Sequence, residues 1–436
     1  MSRIALVGGT VMTMDDDATV HADGYVVIDG DSIVEVGSGT PALRPDDEVV
    51  DTADQIVMPG LVDLHYHTAI GKGFSDHLPL WEYLDTAWYP LIRNLDADAA
   101  YWAAAASYLE SIQCGVTTVN DMYRRLPDLA RAAQDIGIRA VLSNDVALDE
   151  HNIDTLDDNR AAYQEVHGLA NGRVEVYVGI EWLPLADPEL LQDARALANE
   201  LGTGIHIHLN ESLTEVEDSK KRFGKRPTEV AYEAGILGPD CVAAHCVWLS
   251  DREIALMRET GTHISHNPSS NAKLGNGIAR VPEMLAAGIN VGLGHDAAEC
   301  NNSRDLFEVM KFASIIHRAN RVDSSLMPAP DVVRMATRNG SAALQHNTGQ
   351  LTAGMKADVI VLDTQNPMFT PLIHGDANHI YSHIVYSANG SCVNSTIIDG
   401  SFVMRDRKLT FMDEKEIVRK ANEGFQRVLK AVQANS

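Results

Sequence analysis

Short apolar runs alternate with helix-forming stretches through the middle of the chain. Eight of these runs have the length and composition of strands: 57–65, 116–120, 139–144, 174–181, 203–208, 241–245, 262–266 and 289–296. Stretches between them, such as 97–112 and 188–201, are rich in helix formers. A repeated strand–helix order predicts a parallel sheet with right-handed crossovers, and eight units favour a closed barrel. The sequence therefore predicts an α/β fold with a (β/α)8 TIM-like barrel.

The two ends of the chain have a different pattern. Residues 1–56 alternate apolar and polar positions around turns rich in Asp and Gly, and this pattern returns at 357–363 and 392–400. We therefore expect both ends to build one small β-sandwich domain beside the barrel. The predicted division is 1–56 and 346–410 for the two parts of that domain, 57–345 for the barrel, and 411–436 for a C-terminal helix.

Composition and charge narrow the functional classes. The 436 residues are 45% hydrophobic and 22% charged, as in soluble globular proteins, and no apolar run of about 18 residues is present to span a bilayer. The first residues resemble a strand and not a signal peptide, and the five scattered cysteines predict reduced thiols, so we expect a cytoplasmic protein. A formal charge of −26 disfavours nucleic acid and anionic membranes as partners, which leaves a small-molecule substrate.

Potential metal ligands stand at the ends of the predicted strands. His65 and His67 follow the first strand and point to the same side, because side chains on an extended segment alternate. His208, His245 and Asp296 end strands five, six and eight. The carboxyl ends of barrel strands meet at one mouth, where the active site is expected. A single histidine at a strand end is usually structural, but this set of residues predicts a metal centre.

Five segments of the sequence carry a resemblance to a known family. They are GLVDLHYH (60–67), IHLNE (207–211), AAHC (243–246), SHNPSSN (265–271) and LGHD (293–296). With these segments the chain resembles the amidohydrolase superfamily, and within it the branch of cytosine, S-adenosylhomocysteine and methylthioadenosine deaminases and s-triazine hydrolases. The resemblance covers nearly the whole chain. It implies a metal-dependent hydrolase of carbon–nitrogen bonds other than peptide bonds.

The number of metal ions can be predicted from the lysines. Many members of the superfamily bridge two metals with a carboxylated lysine at the end of strand four, but the only lysine between Ala69 and Ile207 is Lys72, in the loop after the first motif. One divalent ion is therefore expected, with Zn²⁺ as the predicted metal and Fe²⁺ as the alternative. The resemblance assigns four metal ligands: His65, His67, His208 and Asp296.

The resemblance also implies a catalytic set, Glu211, His245 and Asp296. A metal-bound water becomes a hydroxide near neutral pH and attacks the ring carbon that carries the amine. Glu211 would accept the proton and deliver it to the ring nitrogen or leaving group; the alternative is a carboxylate that only marks a helix start. His245 would donate a hydrogen bond to the water, with direct metal contact as the alternative, and Asp296 would act as ligand and proton shuttle.

Substrate clues are weaker and partly depart from the family. In S-adenosylhomocysteine-type deaminases a glutamate that binds the ribose stands where this chain has Ile92, and a substrate-binding histidine is replaced by Glu181-Trp182. Trp88 and Trp182 could stack on a flat ring, and Glu181 or Glu299 could accept from an amino group; core packing is the alternative for the aromatic residues. The sequence thus predicts a ribose-free, aminated nitrogen heterocycle. We also expect the polar loop after strand seven to line the mouth.

Three alternatives remain open at this point. The same chemistry could displace chloride or an alkylamine from a triazine or open a cyclic amide. The substrate could be an adenosine-type nucleoside such as S-adenosylhomocysteine or methylthioadenosine. The chain could also be an inactive scaffold of the same fold, although such a protein would be expected to lose the ligands that are present here. The resemblance further implies a homo-oligomer, a dimer or a tetramer.

Overall fold

The structure is a computed structural model and describes residues 3–74, 77–373 and 375–435. Its strands are β1 (Ile4–Met12), β2 (Val20–Asp29), β3 (Ser32–Ser38), β4 (Glu48–Asp51), β5 (Gln55–Pro59), β6 (Leu61–His67), β7 (Val116–Met122), β8 (Arg139–Ser143), β9 (Val174–Val176), β10 (Val178–Ile180), β11 (Ile205–Leu209), β12 (Cys241–His245), β13 (His263–His266), β14 (Val291–Leu293), β15 (Asp296–Ala297), β16 (Val359–Asp363), β17 (Val393–Ile398), β18 (Ser401–Arg405) and β19 (Lys408–Leu409).

The helices lie between these strands. They are α1 (Leu80–Tyr83), α2 (Tyr89–Arg93), α3 (Ala97–Gln113), α4 (Leu126–Ile136), α5 (Leu156–Val166), α6 (Leu169–Gly172), α7 (Pro188–Leu201), α8 (Leu213–Phe223), α9 (Pro227–Glu233), α10 (Asp251–Thr260), α11 (Pro268–Lys273), α12 (Val281–Ala286), α13 (Ala298–Asn301), α14 (Leu306–Arg321), α15 (Ala329–Arg334), α16 (Gly340–Ala343), α17 (Ala377–Tyr386) and α18 (Glu414–Asn435). Short 3₁₀ turns lie at Asp149–His151, Leu183–Leu185, Pro367–Phe369 and Gly390–Cys392, and π turns at Leu84–Trp88 and Met335–Asn339. No described helix has the length and apolar character needed to span a membrane.

Two five-stranded parallel sheets carry the middle of the chain. One has the order β15-β6-β7-β8-β9 and the other β10-β11-β12-β13-β14. Every residue of β6, β7, β8, β11 and β12 is buried, as expected of strands that helices cover on the outside. The predicted strands four and eight are each split, into β9 and β10 and into β14 and β15. The two halves of a split strand belong to different sheets, so these strands connect one sheet to the other.

The helix ends follow local sequence signals. Asp187 begins α7 by accepting a hydrogen bond from the Leu190 N–H at 2.8 Å, and Gly202 ends the helix in the left-handed region. Ser250 and Glu253 form a reciprocal capping box at the start of α10. The predicted helical stretches 97–112 and 188–201 correspond to α3 and α7.

Strands from both ends of the chain form one nine-stranded sheet. Its order is β19-β18-β17-β16-β5-β1-β2-β3, with β4 paired to β1. The ends meet where β16 pairs antiparallel with β5, with Val361 opposite Val57. The first predicted barrel strand, 57–65, is split at Gly60. Its first part, β5, belongs to the nine-stranded sheet, and its second part, β6, belongs to the parallel sheet β15-β6-β7-β8-β9. A Cβ atom on Gly60 would lie 2.2 Å from the Thr117 side chain, which explains the glycine at this junction.

A buried ion pair joins the sheet of the chain ends to the parallel sheets. Arg139, the first residue of β8, donates to Asp358 at 2.9 and 3.0 Å and to Asp399 at 3.3 Å. We expect Arg139→Ala to lower the free energy of unfolding by about 3–5 kcal/mol, because it leaves the buried Asp358 carboxylate without its cation. Chemical denaturation tests this, with Arg44→Ala as the control, since Arg44 pairs with Asp29 at the exposed surface. Equal stability of the two variants would contradict the expectation.

Candidate metal centre and active site

The four predicted metal ligands converge at the C-terminal ends of the strands. His67 Nε2 lies 3.1 Å from His208 Nε2 and 3.4 Å from the Asp296 Oδ1 atom. His65 Nε2 lies 3.4 Å from the same carboxylate oxygen. Two nitrogens bound to one tetrahedral Zn²⁺ at about 2.05 Å are about 3.3 Å apart. The spacing of these ligand atoms therefore fits a single ion.

The hydrogen bonds of the imidazoles also fit a metal. His67 Nδ1 donates to the Met122 carbonyl at 2.6 Å, which leaves Nε2 unprotonated, with its lone pair toward the other ligands. His65 Nδ1 pairs with His206 Nε2 at 2.9 Å, and the buried His65 Nε2 has no hydrogen-bond partner among the described residues. Such a buried nitrogen is unfavourable unless something binds it.

The charge states suit a metal ligand set as well. Burial, together with the neighbouring charge of His65, lowers the pKa of His67 to about 3. Burial would raise the pKa of Asp296, but contact with His65 and the charges of His245 and His67 hold it well below its usual range. The site therefore offers neutral imidazoles and one carboxylate at pH 7, the forms that bind a divalent cation.

Asp296 presents its two oxygens to different neighbours. Oδ1 faces His65 and His67, whereas Oδ2 accepts a hydrogen bond from the Ser270 hydroxyl and lies 3.9 Å from His245 Nε2. Both Asp296 and His245 have left-handed backbone angles, with φ of +72° and +70°. Non-glycine residues rarely adopt this conformation, and such strain concentrates at functional sites. A carboxylate with two differently placed oxygens can bind an ion through one and exchange a proton through the other.

His245 is held from behind by Asn271 of α11, the helix after β13; the structure has this helix where the sequence predicts a polar loop. Its Nδ1 atom lies 2.8 Å from Asn271 Oδ1, which directs Nε2 toward the site, where that atom has no partner among the described residues. The 3.9 Å from its Nε2 to Asp296 Oδ2 is longer than the 3.1 Å between His67 and His208 and the 3.4 Å between Asp296 and each of His65 and His67. The longer distance favours contact through a water over direct ligation.

Glu211 faces the same space from the end of β11. Its Oε1 accepts from Asn276 Nδ2 at 2.9 Å and lies 3.8 Å from His245 Nδ1. Burial raises the pKa of Glu211 well above its usual range, as do the charges of Asp296 and Glu181. Ser212, not Glu211, caps the following helix α8, so the Glu211 carboxylate does not serve as the cap of that helix. A carboxyl group with a raised pKa is suited to take up and return a proton.

A small cavity of about 40 Å³ opens above these residues. Its walls are largely aromatic and aliphatic, and its lining residues include Trp88, Trp182, Tyr83, Leu80 and Leu84. The same cavity exposes the carboxylates of Glu181, Glu211 and Asp296, and no lysine or arginine is among its described lining residues. An anionic substrate group would find no cationic side chain here, whereas an amino group would find acceptors.

The predicted substrate residues occupy different places. Trp88 packs edge-on against His67 with ring centroids 5.4 Å apart, and Trp182 packs on Trp81 at 4.6 Å. Glu181 accepts from the Tyr89 hydroxyl at 2.9 Å, and burial raises its pKa to about 7 although that hydrogen bond lowers it. These three predicted residues lie in the cavity wall.

Glu299 lies outside that wall. Its Oε1 atom accepts from the backbone N–H groups of Ile70 and Gly71 at 3.0 and 2.6 Å, so it anchors the loop after the first motif. Its contact with a substrate stays a prediction. Ile92 is buried in α2, and the cavity lining does not include it.

Several residues of the site were not predicted. His206 shares the pattern of His65 and His67, since it stands two residues before His208, and this spacing could have identified it. Asn271 and Asn276 lie in the loop that the sequence predicts at the mouth, without any signal for their individual roles. Tyr83 reaches the cavity from α1, and no local pattern places that helix over the site.

Comparison with known proteins identifies the family. The model of the amidohydrolase family matches residues 56–403. The chain belongs to the amidohydrolase family. The predicted resemblance is confirmed, and with it the class of enzyme, a hydrolase that acts on carbon–nitrogen bonds.

Relatives of this amidohydrolase match it over its full length. A 5'-deoxyadenosine deaminase of Methanosarcina mazei is 37% identical over 437 residues, which cover 99% of this chain and 100% of the relative. A 5-methylthioadenosine/S-adenosylhomocysteine deaminase of Syntrophomonas wolfei is 35% identical over 427 residues, 97% of this chain and 98% of the relative.

Solved structures of related amidohydrolases share the fold. An adenosine deaminase from Xanthomonas campestris with bound zinc is 26% identical, with a TM-score of 0.92 over 98% of this chain and 99% of that one. An atrazine chlorohydrolase from Arthrobacter aurescens, complexed with zinc, is 23% identical, with a TM-score of 0.86 over 97% of this chain and 100% of that one. The second likeness concerns the fold alone.

Proposed function

We propose that the protein is a hydrolytic deaminase of an aminated nitrogen heterocycle that uses one divalent metal ion, Zn²⁺. The observation that carries this proposal is the convergence of His65, His67, His208 and Asp296, with Glu211 facing them across one small space. The full-length similarity to adenosine-type deaminases supports the same reaction.

The chain's own residues supply the proton transfers of this reaction. A divalent ion at the site supplies a water that is acidic at neutral pH. Glu211 takes the proton from the attacking water and delivers it to the ring nitrogen next to the reacting carbon. His245 and the Oδ2 atom of Asp296 hold the oxygen nucleophile in place, and Asp296 passes the second proton of the attacking water to the departing amine. Ammonia and the oxo form of the ring are the products.

Substrate recognition depends on the cavity wall. Trp88 and Trp182 pack against a planar ring, and Glu181 accepts a hydrogen bond from an amino or ring N–H group. The absence of basic residues among the described lining favours a neutral or cationic substrate. Glu181 Oε2 lies 3.6 Å from Nδ1 of His208, whereas Nε2 of the same ring faces His67.

Two kinds of ring remain candidates. The relatives support an adenosine-type nucleoside, such as 5'-deoxyadenosine or methylthioadenosine. Ile92 at the predicted ribose position and Glu181-Trp182 in place of a histidine support a ring without ribose. We also propose that the two five-stranded sheets close into a barrel where the split strands β9/β10 and β14/β15 pass from one sheet to the other, and that the chain forms a homo-oligomer.

An ammonia-release screen on protein of known metal content tests the proposed function. The panel contains 5'-deoxyadenosine, methylthioadenosine, S-adenosylhomocysteine and adenosine, and also free aminopurines, pterins, aminopyrimidines and triazines. We expect about one zinc or iron per chain and ammonia from at least one compound, with loss of activity after chelation and recovery after metal is restored. Chloride or alkylamine release without ammonia would favour a triazine hydrolase, and a metal-free, inert protein would favour the scaffold.

A further inference from the structure

A buried guanidinium lies directly behind the proposed metal ligands. Arg304 is fully buried, with 0% exposure, and stands eight residues after Asp296, just before α14. Among the described residues no carboxylate forms an ion pair with its side chain. Burying a charge in this way is unfavourable unless its hydrogen bonds are made.

Two hydrogen-bond partners of Arg304 are backbone carbonyl groups of proposed metal ligands. Its Nη1 atom donates to the carbonyl oxygen of Asp296 at 3.0 Å, and its Nη2 atom donates to the carbonyl oxygen of His67. Nη1 also lies 3.2 Å from His295 Nε2, whose ring in turn lies 2.7 Å from Asp63 Oδ2. One side chain thus bonds to the main chain of two proposed metal ligands that are 229 residues apart in the sequence.

The middle residue of the His65-Tyr66-His67 motif completes the contact. The guanidinium lies over the ring of Tyr66 at 3.9 Å from the ring centre, a favourable cation–π geometry. Tyr66 points away from the two histidines, because neighbouring side chains on a strand alternate. The two histidines of the motif therefore face the proposed metal site, and its tyrosine faces Arg304.

The strand pairing between these two ligands is short. The β15–β6 ladder consists of two residue pairs, Asp296 with Tyr66 and Ala297 with His67. The preceding strand β14 ends at Leu293, and Asp296 has a strained left-handed backbone. A small rotation of the Asp296 peptide would move its carboxylate away from the His65 and His67 nitrogens. Hydrogen bonds from Arg304 to both carbonyl groups oppose such a rotation.

We infer that Arg304 is a positioning residue of the metal centre, which fixes Asp296 against His67 through their backbone carbonyl groups and thereby sets metal affinity and coordination geometry. The inference rests on the proposed metal site but needs no substrate. Residues that orient metal ligands change metal affinity by about 10–100-fold when they are replaced. A side chain that only fills space would change the stability of the fold and leave the affinity for metal as it is.

Metal binding by Arg304→Gln and Arg304→Lys tests the inference on the full chain. Zn²⁺ affinity is measured by competition with a chelator, and the geometry by the visible absorption spectrum of the Co²⁺-substituted protein. We expect both variants to bind Zn²⁺ about 10–100-fold more weakly and to show an altered Co²⁺ spectrum. Lysine keeps the charge but lacks the two-pronged donor, so it is not expected to restore the wild-type affinity.

Arg139→Lys is the matched control, since Arg139 is also a buried arginine and, among the described residues, its side chain bonds to Asp358 and Asp399, away from the proposed metal ligands. We expect it to lower the melting temperature of the metal-free protein without changing Zn²⁺ affinity. If the Arg304 variants do not fold, Tyr66→Leu removes the aromatic face, and we expect a smaller loss of affinity in the same direction. Wild-type Zn²⁺ affinity and Co²⁺ spectra in the variants, or an equal loss in Arg139→Lys, would overturn the inference.

These outcomes separate this inference from the proposed function. A wild-type protein that binds one metal but deaminates nothing on the panel would reject the proposed reaction and leave the test of Arg304 intact. A wild-type protein that binds no metal would reject both.

Discussion

Glu211→Gln is expected to lower kcat by a factor of about 10²–10⁴ while the metal content stays at one ion per chain. Glutamine keeps the size of the side chain and its hydrogen-bonding partner Asn276, which lies 2.9 Å from Oε1 in the wild type. It cannot take up the proton of the attacking water or return it to the ring. The variant should therefore bind substrate with little change in KM and turn it over slowly. Steady-state ammonia release and elemental analysis on the same preparation measure both quantities.

Glu175→Gln is the matched control for this variant. Glu175 lies in β9, toward the opposite end of strand four, and pairs with His346 at 3.1 Å. We expect its kcat to equal that of the wild type. A Glu211→Gln variant with wild-type kcat would reject the general acid/base role. If the variant lost both metal and activity, Glu211 would act by holding the centre together and not by moving protons.

The grouping of the proposed metal ligands could be predicted in large part because its signals are local. His65 and His67 are two residues apart on one strand, so the alternation of side chains alone places them together. His208 and Asp296 stand at strand ends, and parallel strands bring such ends to the same edge of a sheet. Each of these inferences needs only the neighbours of the residue and the order of the elements.

The surroundings of the ligands could not be predicted in the same way. Arg304 contacts the carbonyl oxygen of His67 across 237 residues of sequence, and a single buried arginine carries no local signal of its partner. Glu299 is predicted to accept from an amino group of the substrate, and its Oε1 atom accepts from the backbone N–H groups of Ile70 and Gly71. Packing between distant segments decided both placements.

The same limit applies to the fold. The alternation of apolar runs and helical stretches predicted the parallel strands of the middle region. The breaks at Gly60 and Tyr177, and between Leu293 and Asp296, were not predicted, since a continuous apolar run does not reveal which neighbour each half will pair with. These breaks matter for function, because the last of them gives Asp296 its own short strand beside β6.

His208→Ala and His245→Ala are expected to distinguish a residue that binds the metal from a residue that acts only in catalysis. His208 Nε2 lies 3.1 Å from His67 Nε2, within the spacing of a shared ion, so its loss should weaken metal binding by more than about 100-fold and abolish activity. His245 Nε2 lies 3.9 Å from the Asp296 carboxylate, beyond that spacing. We therefore expect His245→Ala to retain about one metal per chain and to lose most of its kcat. Elemental analysis after dialysis gives the metal content of each variant.

The contrast between these two variants decides which histidines bind the ion. Three imidazoles, those of His65, His208 and His245, also lie close enough to share a metal, and this second arrangement would make His245 a ligand. It predicts metal loss in both variants, whereas the first arrangement predicts loss in His208→Ala alone. Asn271→Ala distinguishes the arrangements further, because it removes the partner 2.8 Å from His245 Nδ1 without touching a ligand. If His245 orients the water, this change lowers kcat at full metal content; if His245 binds the ion, it lowers metal affinity.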